Sequence, residues 1–296
     1  MTLDQLRIFI TVAELQHVTR AAERLNMTQS SVSNAISTME ARHRITLFHR
    51  VGRRIELTTE GAQFLGHARS VVAQARSAEA MLADLAGVQG GSLAIFASQT
   101  IANFWLPARL TAYLERYPGI DLRVEIGNTA ECVAAVDRGD AEFGFIEGEV
   151  DLPSLIMSDI ARDRLVLVVG SQHPWATLPP TLPDDLLGTQ WVLREAGSGT
   201  RSSFEQALQG YGFALRELNV ALELPSNEAI CSAMAASRMA TVMSESAVSA
   251  GIEAGRLVKL PLDFGHRAYR LVQHRQRRFT RAALAFIDML PPAVSQ

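Results

Sequence analysis

The sequence lacks the features that mark a secreted, membrane-bound or metal-stabilised protein. Its only two cysteines, Cys132 and Cys231, are too far apart for a C-x-x-C motif. We therefore expect buried thiols, with no structural disulfide and no structural metal. The longest apolar runs, such as LVLVVG from Leu165, are far shorter than the ~20 residues that a membrane-spanning helix needs. An acid at Asp4 and the absence of a basic segment before an apolar core exclude a typical signal peptide, so we expect a cytoplasmic protein.

Sequence patterns of catalysis are also missing. The chain has neither the G-x-S-x-G of a nucleophile elbow nor the G-x-x-x-x-G-K-[ST] of a phosphate-binding loop. Among its seven histidines, His173, His266 and His274 have no acid or nucleophile in sequence register, and the others fall in the first 70 residues. We therefore predict that the protein is not an enzyme, has no catalytic residues and needs no cofactor.

Charge is distributed unevenly along the chain. The whole chain has a formal net charge of −3, but residues 1–57 carry eight arginines and five acidic residues, a net charge of +3. The remaining residues carry 20 basic and 26 acidic side chains, a net charge of −6. This asymmetry predicts that the N-terminal segment binds a polyanion and that the remainder does not.

The first 60 residues predict three helices in a helix-turn-helix arrangement. Apolar residues from Leu3 to Ala13 follow helical spacing, and a second short helix, TRAAERL, has Thr19 as its expected N-cap. Thr28 is the expected N-cap of the third helix, QSSVSNAISTMEARH. The outer face of that helix carries small hydrogen-bonding side chains, namely Ser30, Ser33, Asn34 and Ser37. Such side chains can reach base edges in a major groove, although a merely solvated face is the alternative.

A basic hairpin follows the third helix. The segment LFHRVGRRIELT is typical of two short strands around Gly52, with Arg50, Arg53 and Arg54 near the tip. Arginines in that position can bind phosphates, as the wing of a winged helix-turn-helix domain does. The combination of a helix-turn-helix and a basic wing is more specific for DNA binding than either part.

The N-terminal segment resembles the DNA-binding domain of LysR-type transcriptional regulators. The resemblance rests on F-x-x-V-A-E, T-R-A-A-E-R-L, S-x-V-S-x-x-I, L-F-x-R and L-T-x-x-G, in register. It implies a recognition helix that binds DNA through Thr28, Gln29, Ser30, Ser31, Ser33 and Asn34, and a wing that binds through Arg50, Arg53 and Arg54. Asn34 departs from the family because a basic residue is usual there. Arg44 replaces a glycine just past the helix end, where a left-handed backbone costs other residues roughly 1 kcal/mol.

From Thr58, an expected N-cap, the chain is typical of one long helix that ends near Gly87. A heptad seam with alternating spacings of 4 and 3 consists of Phe64, Ala68, Val71, Ala75, Ala78, Leu82 and Leu85. The seam predicts pairing with the same helix of a second chain, with packing on the protein's own core as the alternative. We expect a homodimer or a homotetramer made of two dimers.

The rest of the chain alternates predicted strands and helices, such as SLAIFA, LPARLTAYLERY and DLRVEIG. This alternation predicts α/β domains with largely parallel sheets, and ~200 residues suggest two of them. The segment resembles the two-lobed effector domain of LysR-type regulators, which is itself similar to periplasmic binding proteins. We therefore predict a winged helix-turn-helix domain at 1–58, a linker and dimerisation helix at 59–89, lobe I at 90–161 and 266–296, and lobe II at 162–265.

Small polar residues recur where predicted strands give way to helices. Ligands of α/β sheets bind at the carboxyl ends of strands, where free N–H groups of the following helices favour anions. Each such residue could be only an N-cap, but their repetition predicts one shared cleft. The expected effector-binding residues are Ser98, Gln99, Thr100, Thr129, Arg194, Ser198, Gly199, Thr200, Arg201 and Ser226.

The segment REAGSGTR, residues 194–201, gives the strongest sign of an anion. With Ser198 or Thr200 as N-cap, Arg201 falls near the first turn of a helix, where a cation is unfavourable by roughly 0.3–1 kcal/mol. A bound anion would reverse that effect, and Arg194 could bind the same anion in bidentate fashion; the alternative is that Arg201 pairs with Glu205. The segment resembles the family branch of sulfur-assimilation and Calvin-cycle regulators, which respond to inorganic anions or phosphorylated metabolites.

Together these features predict a cytoplasmic, ligand-responsive transcription regulator. Its expected partners are double-stranded promoter DNA, a second copy of itself, RNA polymerase and a small anionic effector, with no membrane. The effector is expected to be an inorganic oxyanion or a phosphorylated or carboxylated metabolite held between the lobes. A pure solute-binding protein is the rival class, and it conflicts with the helix-turn-helix.

Overall fold

The computed structural model describes residues 1–51, 54–85, 91–181 and 183–291. The chain divides into two compact units, an N-terminal one that spans Met1–Val88 and a C-terminal one that comprises Gln89–Asp137 and Ala141–Gln296. Over the described ranges, no helix is both long and apolar enough to cross a membrane.

The N-terminal unit consists of helices around one apolar core and a two-stranded hairpin. Its elements are α1 (Leu3–Leu15), α2 (Val18–Arg24), α3 (Gln29–His43), β1 (Phe48–Val51), β2 (Arg54–Leu57) and α4 (Thr59–Leu85). The core brings Phe9 of α1, Val32 and Ile36 of α3, and Ala68 and Val72 of α4 into one cluster. The three predicted helices, the hairpin and the long helix are therefore all present.

Local side chains explain where these helices begin and end. Thr28 caps α3 and Thr58 caps α4, each accepting a hydrogen bond from an N–H of the first turn, as the sequence predicts. The prediction for α2 was wrong by two residues: His17 is its N-cap, and Thr19 lies inside the first turn. The imidazole of His17 is itself a hydrogen-bond acceptor, which sequence preferences for hydroxyl caps overlook. Arg44 ends α3 in the left-handed conformation, with φ 53° and ψ 41°.

The C-terminal unit alternates strands and helices, as predicted. Its strands are β3 (Gly91–Ser98), β4 (Ile120–Gly127), β5 (Phe143–Glu147), β6 (Leu155–Gly170), β7 (Gln190–Arg194), β8 (Asn219–Leu224), β9 (Ala240–Ser244) and β10 (Leu257–His274). Its α-helices are α5 (Gln99–Phe104), α6 (Pro107–Arg116), α7 (Thr129–Arg138), α8 (Gly199–Gly210), α9 (Asn227–Ala235), α10 (Glu245–Glu253) and α11 (Arg281–Ile287). Short 3-10 helices cover Pro174–Ala176, Pro183–Gly188 and Leu215–Glu217.

The eight strands form one sheet in the order β4-β3-β5-β10-β6-β9-β7-β8. The two ends are parallel, since β3 pairs in parallel with β4 and β5, and β7 with β8 and β9. In the centre, β6 and β10 pair antiparallel from Leu155 opposite His274 to Gly170 opposite Leu257, with register shifts between Lys259 and His266 and between Tyr269 and Arg270. The alternation of elements predicts two α/β domains with largely parallel sheets, and the two parallel ends agree with this. The strands nevertheless form one mixed sheet, because the alternation does not reveal which distant strands pair.

The two largest apolar clusters of this unit lie on either side of the central strand pair. One is built around Phe143, Phe145 and Phe286, and the other around Trp191 and Phe204. Both cores rest on β6 and β10, so these two strands are shared by the two halves of the unit. Relative displacement of the halves must therefore bend or twist the same two strands.

Candidate functional site

The predicted DNA-binding residues of α3 lie together on its N-terminal half. Thr28, Gln29, Ser30, Ser31 and Asn34 are exposed, and Ser33 is half-buried. The hydroxyl of Thr28 lies 3.0 Å from that of Ser30 and 2.8 Å from that of Ser31. The opposite face is buried in the core, so this surface offers hydroxyl and amide groups outward, which is the chemistry needed for base edges.

The predicted wing is an antiparallel hairpin. Arg50 of β1 lies opposite Ile55, and Val51 lies opposite Arg54 of β2. Arg53 lies outside the described residues, as do the side chains of Arg50 and Arg54. The hairpin itself is confirmed, and phosphate binding by its three arginines stays a prediction.

The heptad seam of α4 divides into two parts. Ala68 is 1% exposed and Phe64 is half-buried, and both pack on the core of the N-terminal unit. Further along the helix, Val71 is 47% exposed and Leu82 is 67% exposed. The side chain of Leu85 lies outside the described residues. Packing on the protein's own core therefore accounts for the first part of the seam, and an exposed apolar stripe remains beyond it.

In the C-terminal unit, the predicted effector-binding residues meet at the carboxyl ends of strands. Ser98 ends β3, Thr129 begins α7 after β4, Arg194 ends β7, and Gly199 and Thr200 begin α8. Six of the predicted polar side chains are only 1% to 7% exposed: Ser98, Thr100, Thr129, Arg194, Ser198 and Thr200. Buried polar side chains normally need hydrogen-bond partners, and a polar ligand can supply them, so this cleft is the candidate effector site.

One side of the cleft is closed by hydrogen bonds to Asn227 at the start of α9. The side-chain amide of Asn227 donates to the hydroxyl of Thr100 at 3.2 Å, and its backbone N–H donates to the side chain of Gln99 at 2.7 Å. Gln99 in turn donates to the carbonyl of Pro225 at 3.3 Å. Sequence reasoning chose the neighbouring Ser226, which instead caps α9 by accepting a hydrogen bond from a first-turn N–H.

The other side of the cleft is closed by backbone and amide contacts. The side-chain amide of Asn128 donates to Glu195 at 3.3 Å, and the N–H of Ala130 donates to the carbonyl of Gly197 at 3.1 Å. At Gly199 a Cβ atom would lie only 2.5 Å from the carbonyl oxygen of Glu147. Glycine is therefore required at the start of α8, because no larger residue allows so close an approach.

Both arginines of REAGSGTR have carboxylate partners within the chain. Arg194 donates two hydrogen bonds to Glu195, at 2.8 and 3.0 Å, and a third to the side chain of Asn227 at 2.7 Å. Arg201 pairs with Glu205 at 3.0 Å and with Glu223 at 2.8 Å. Burial opposes its charge, but these two carboxylates raise the pKa of Arg201. The pairing with Glu205 is thus observed, and Arg201 does not need an external anion.

Two hydroxyl groups of the cleft are not used as helix caps. Ser198 stands at the N-cap position of α8 and Ser98 at that of α5, but neither side chain makes a capping hydrogen bond. The hydroxyl oxygen of Ser98 is fully buried and has no hydrogen-bond partner within the described part of the chain. The N-cap alternative therefore does not account for these two serines.

A buried ionic cluster that the sequence did not predict forms the floor of the cleft. Arg267 of β10 donates a hydrogen bond from Nε to one carboxylate oxygen of Asp163 at 2.9 Å. Its Nη2 lies 2.8 Å from the same oxygen as an ion pair without hydrogen-bond geometry. Its Nη1 donates to the hydroxyl of Thr200 at 2.9 Å, and its Nη2 lies 3.7 Å from Oε1 of Glu147. Ser244 donates to the second oxygen of Asp163 at 2.8 Å. The sequence gives no signal for this cluster, because β6 and β10 each carry several charged residues and only the pairing of the strands shows which of them are buried.

The remaining candidate chemistry involves thiols and metal ligands. Cys132 is buried and Cys231 is half-buried, and desolvation raises the pKa of both thiols. Among the residues that the structure describes, no three His, Cys, Asp or Glu side chains are arranged to hold a metal ion.

Comparison with known families covers most of the chain. Residues 86–294 match the family described as LysR substrate binding domain, and residues 3–62 match that described as bacterial regulatory helix-turn-helix protein, lysR family. The chain is 31% identical over 295 residues to an uncharacterized HTH-type transcriptional regulator of Escherichia coli, YeiE, covering 99% of this chain and 98% of that one. It is 30% identical over 295 residues to the RuBisCO operon transcriptional regulator of Allochromatium vinosum, covering 98% and 95%.

Solved structures of similar fold include full-length OxyR from Pseudomonas aeruginosa, with a TM-score of 0.71, 20% identity and coverage of 99% of this chain and 96% of that one. Full-length CbnR in complex with its target DNA has a TM-score of 0.67, 21% identity and coverage of 98% and 99%. The regulatory domain of CcmR from Synechocystis in complex with 2-PG has a TM-score of 0.61, 22% identity and coverage of 67% and 94%. These likenesses show a shared fold, with an N-terminal helix-turn-helix region and a C-terminal two-lobed α/β domain.

Proposed function

Because this chain belongs to the LysR family of transcriptional regulators, which bind DNA, carry an effector-binding domain and are not enzymes, we propose that it responds to a small anionic effector. The observation that carries the proposal is the set of buried polar side chains at the carboxyl ends of β3, β4 and β7. The 2-PG complex of CcmR and the relatives named as RuBisCO regulators support a small metabolite as effector.

The proposed effector site comprises all ten residues expected from the sequence, in unequal roles. Ser98, Thr100, Thr129, Ser198 and Thr200 supply hydroxyl groups, and Gly199 supplies room and backbone N–H. Arg194 would bind the effector by exchanging one of its present bonds to Glu195 or Asn227. Gln99 contributes through Asn227, while Arg201 and Ser226 stabilise the walls because their own groups are already paired. The effector would be an inorganic oxyanion or a phosphorylated or carboxylated metabolite.

We propose that the two lobes comprise residues 90–161 with 266–296, and residues 162–265. The outer neighbours of the central strand pair support this division. One end of the pair is flanked by β5, which pairs with Tyr269–Gln273 of β10, and the other end by β9, which pairs with Leu165–Val169 of β6. A ligand that prefers one arrangement of the lobes would shift the population toward it and so alter the DNA-binding units of the oligomer.

The proposed site of action is promoter DNA in the cytoplasm. Thr28, Gln29, Ser30, Ser31, Ser33 and Asn34 of α3 would bind base edges, and Arg50, Arg53 and Arg54 would bind phosphates. The exposed stripe of α4 supports pairing of two chains into a homodimer or a dimer of dimers. RNA polymerase would be the protein partner at the promoter.

Ser98→Ala tests the effector site without disturbing the fold, because the hydroxyl it removes has no hydrogen-bond partner in the described residues. We expect saturation of the wild-type chain by its effector at 100 times Kd to add about 2.7 kcal/mol to the free energy of unfolding. The measurement is a thermal shift with sulfate, sulfite, phosphate, phosphoenolpyruvate and sugar bisphosphates. In Ser98→Ala the unfolding temperature without effector should be unchanged, and the shift should shrink.

Ser249→Ala is the matched control, because Ser249 is exposed on α10 and its hydroxyl only donates to a helix carbonyl. Its shift should equal that of the wild type. A full shift in Ser98→Ala, or in the companion variant Thr200→Ala, would place the effector elsewhere.

A further inference from the structure

The two arginines of REAGSGTR bring no surplus of positive charge to the cleft. Arg194 lies 2.8 Å from the carboxylate of Glu195. Arg201 lies 3.0 Å from the carboxylate of Glu205 and 2.8 Å from that of Glu223. These pairs hold two guanidinium groups and three carboxylates, a formal net charge of −1. An anion that binds Arg194 therefore meets a cation whose charge a neighbouring carboxylate already balances.

The floor of the cleft has the same balance of charge at greater depth. Arg267 is 6% exposed and is shared by two buried carboxylates, Asp163 at 2.8 Å and Glu147 at 3.7 Å. Burial opposes the charge of Arg267, but both carboxylates raise its pKa, so the guanidinium keeps its charge. The three groups have a formal net charge of −1. Because all three are buried, dissolved ions screen this excess much less than they screen an exposed charge.

Neutral hydroxyl groups of the cleft can donate to a ligand without losing a present partner. The hydroxyl oxygen of Ser98 is fully buried and has no hydrogen-bond partner among the residues that the structure describes. Thr100 accepts a hydrogen bond from Asn227, and Thr200 accepts one from Arg267, so each threonine still has its O–H proton to donate. Hydroxyl donors can stabilise one negative charge through several hydrogen bonds, but they bring no positive charge to balance a second.

We infer that the effector binds with a single negative charge, as a monocarboxylate or a singly charged oxyanion does, and that the cleft discriminates against dianions. This inference rests on the proposed function, because it narrows the class of anion for the same site. The hydroxyls of Ser98, Thr100 and Thr200 donate to this charge, and one N–H of Arg194 turns to it. A second charge would meet no unpaired guanidinium among the three described arginines of the cleft. The excess carboxylate in each ionic group would repel it.

Matched anions of the same shape and different charge test the inference on the full chain. Methyl sulfate has one negative charge, whereas methyl phosphate has two at about pH 8, since the second pKa of a phosphate ester is about 6. Malonamate and malonate form a second pair with one and two charges. Isothermal titration calorimetry gives the ratio of the two dissociation constants in each pair. The dianion should bind at least about tenfold more weakly, because its second charge is repelled in a site that water screens poorly.

Glu147→Gln retains the shape of the side chain and removes one buried negative charge, so it should reduce that ratio severalfold. Asp163→Asn removes a negative charge from the same cluster and should act in the same direction, which keeps the test valid if Glu147→Gln does not fold. Glu149→Gln is the control, since the side chain of Glu149 is 75% exposed and its charge is screened. The control should keep the wild-type preference for the monoanion.

The outcomes separate this inference from the proposed function. If a dianion binds as tightly as its singly charged counterpart and Ser98→Ala weakens both, the anionic site stands and the inference is overturned. A preference for the monoanion that keeps its full size in Glu147→Gln and Asp163→Asn overturns the role of the buried carboxylates. If no member of either pair binds, the proposed anionic effector fails together with the inference.

Discussion

Arg44 adopts a backbone conformation that destabilises the folded protein. It takes the left-handed backbone conformation at the end of α3, and its N–H still donates to the carbonyls of the last helical turn. For a residue other than glycine this conformation costs roughly 1 kcal/mol, because Cβ approaches the following carbonyl oxygen. The turn after α3 therefore forms with arginine in place of glycine, and the steric cost lowers the free energy of unfolding.

Arg44→Gly should stabilise the N-terminal unit by about 1 kcal/mol, because glycine adopts this conformation without steric cost. Arg42→Gly is the matched control: it removes the same charge from an exposed position of the same helix, where glycine costs about 1 kcal/mol. Urea unfolding of the full chain measures both. If the two variants lose stability equally, the left-handed conformation of Arg44 does not destabilise the folded protein.

At the scale of elements, α4 has two functions along its length. Its N-terminal half buries Ala68 and Val72 in the helix-turn-helix core, while Val71 and Leu82 are exposed. Val71 and Leu82 are eleven residues apart, so at 100° per residue they lie within about 20° of each other. An exposed apolar stripe of this kind is stabilised when a second helix covers it.

Leu82→Asp should therefore shift the protein toward the monomer, since it places a charge in the stripe that the partner helix would bury. Ser70→Asp adds the same charge on an exposed position about 120° away around the helix, and it should leave the assembly unchanged. Sedimentation velocity across a concentration series gives the dimer dissociation constant. An unchanged constant in Leu82→Asp would exclude this stripe as the interface.

On the scale of the whole molecule, the two halves of the effector domain share β6 and β10, and their ionic contact lies in the middle of that pair. Arg267 and Asp163 are direct neighbours across the two strands, and both are 6% exposed. Arg267 also reaches Thr200 on α8 and Glu147 on β5. One guanidinium group thus joins elements from both halves.

Arg267→Met should lower the free energy of unfolding by about 3–5 kcal/mol, because it leaves two buried carboxylates without their cation. Arg162→Met, at an exposed position of the same strand pair, should change it by less than about 0.5 kcal/mol. Adding Asp163→Asn to Arg267→Met should restore part of the lost free energy of unfolding, measured in urea, because it removes one of the two unpaired carboxylates. A loss below 1 kcal/mol in Arg267→Met would mean that the cluster does not hold the halves together.

The sequence determined what depends on neighbouring residues along the chain. Apolar spacing and hydroxyl caps located the helices of the N-terminal unit, and strand-to-helix junctions with small polar residues located the cleft. Because carboxyl ends of parallel strands meet at one edge of a sheet, the sequence alone groups Ser98, Thr129 and Arg194. Thr28 as a cap follows from an equally local rule.

Only the tertiary structure decided which distant groups meet. Arg201 is paired by Glu205, four residues away, but also by Glu223 from another strand, and that second partner removed the electrostatic argument for an anion at Arg201. The single mixed sheet and the cluster of Glu147, Asp163 and Arg267 arise from the pairing of strands that are far apart in sequence, such as Phe143 of β5 opposite Gln273 of β10. The local spacing of apolar residues determines which face of a strand is buried. The pairing of distant strands determines which charged side chains are buried next to one another, and those neighbours set the chemistry of the cleft.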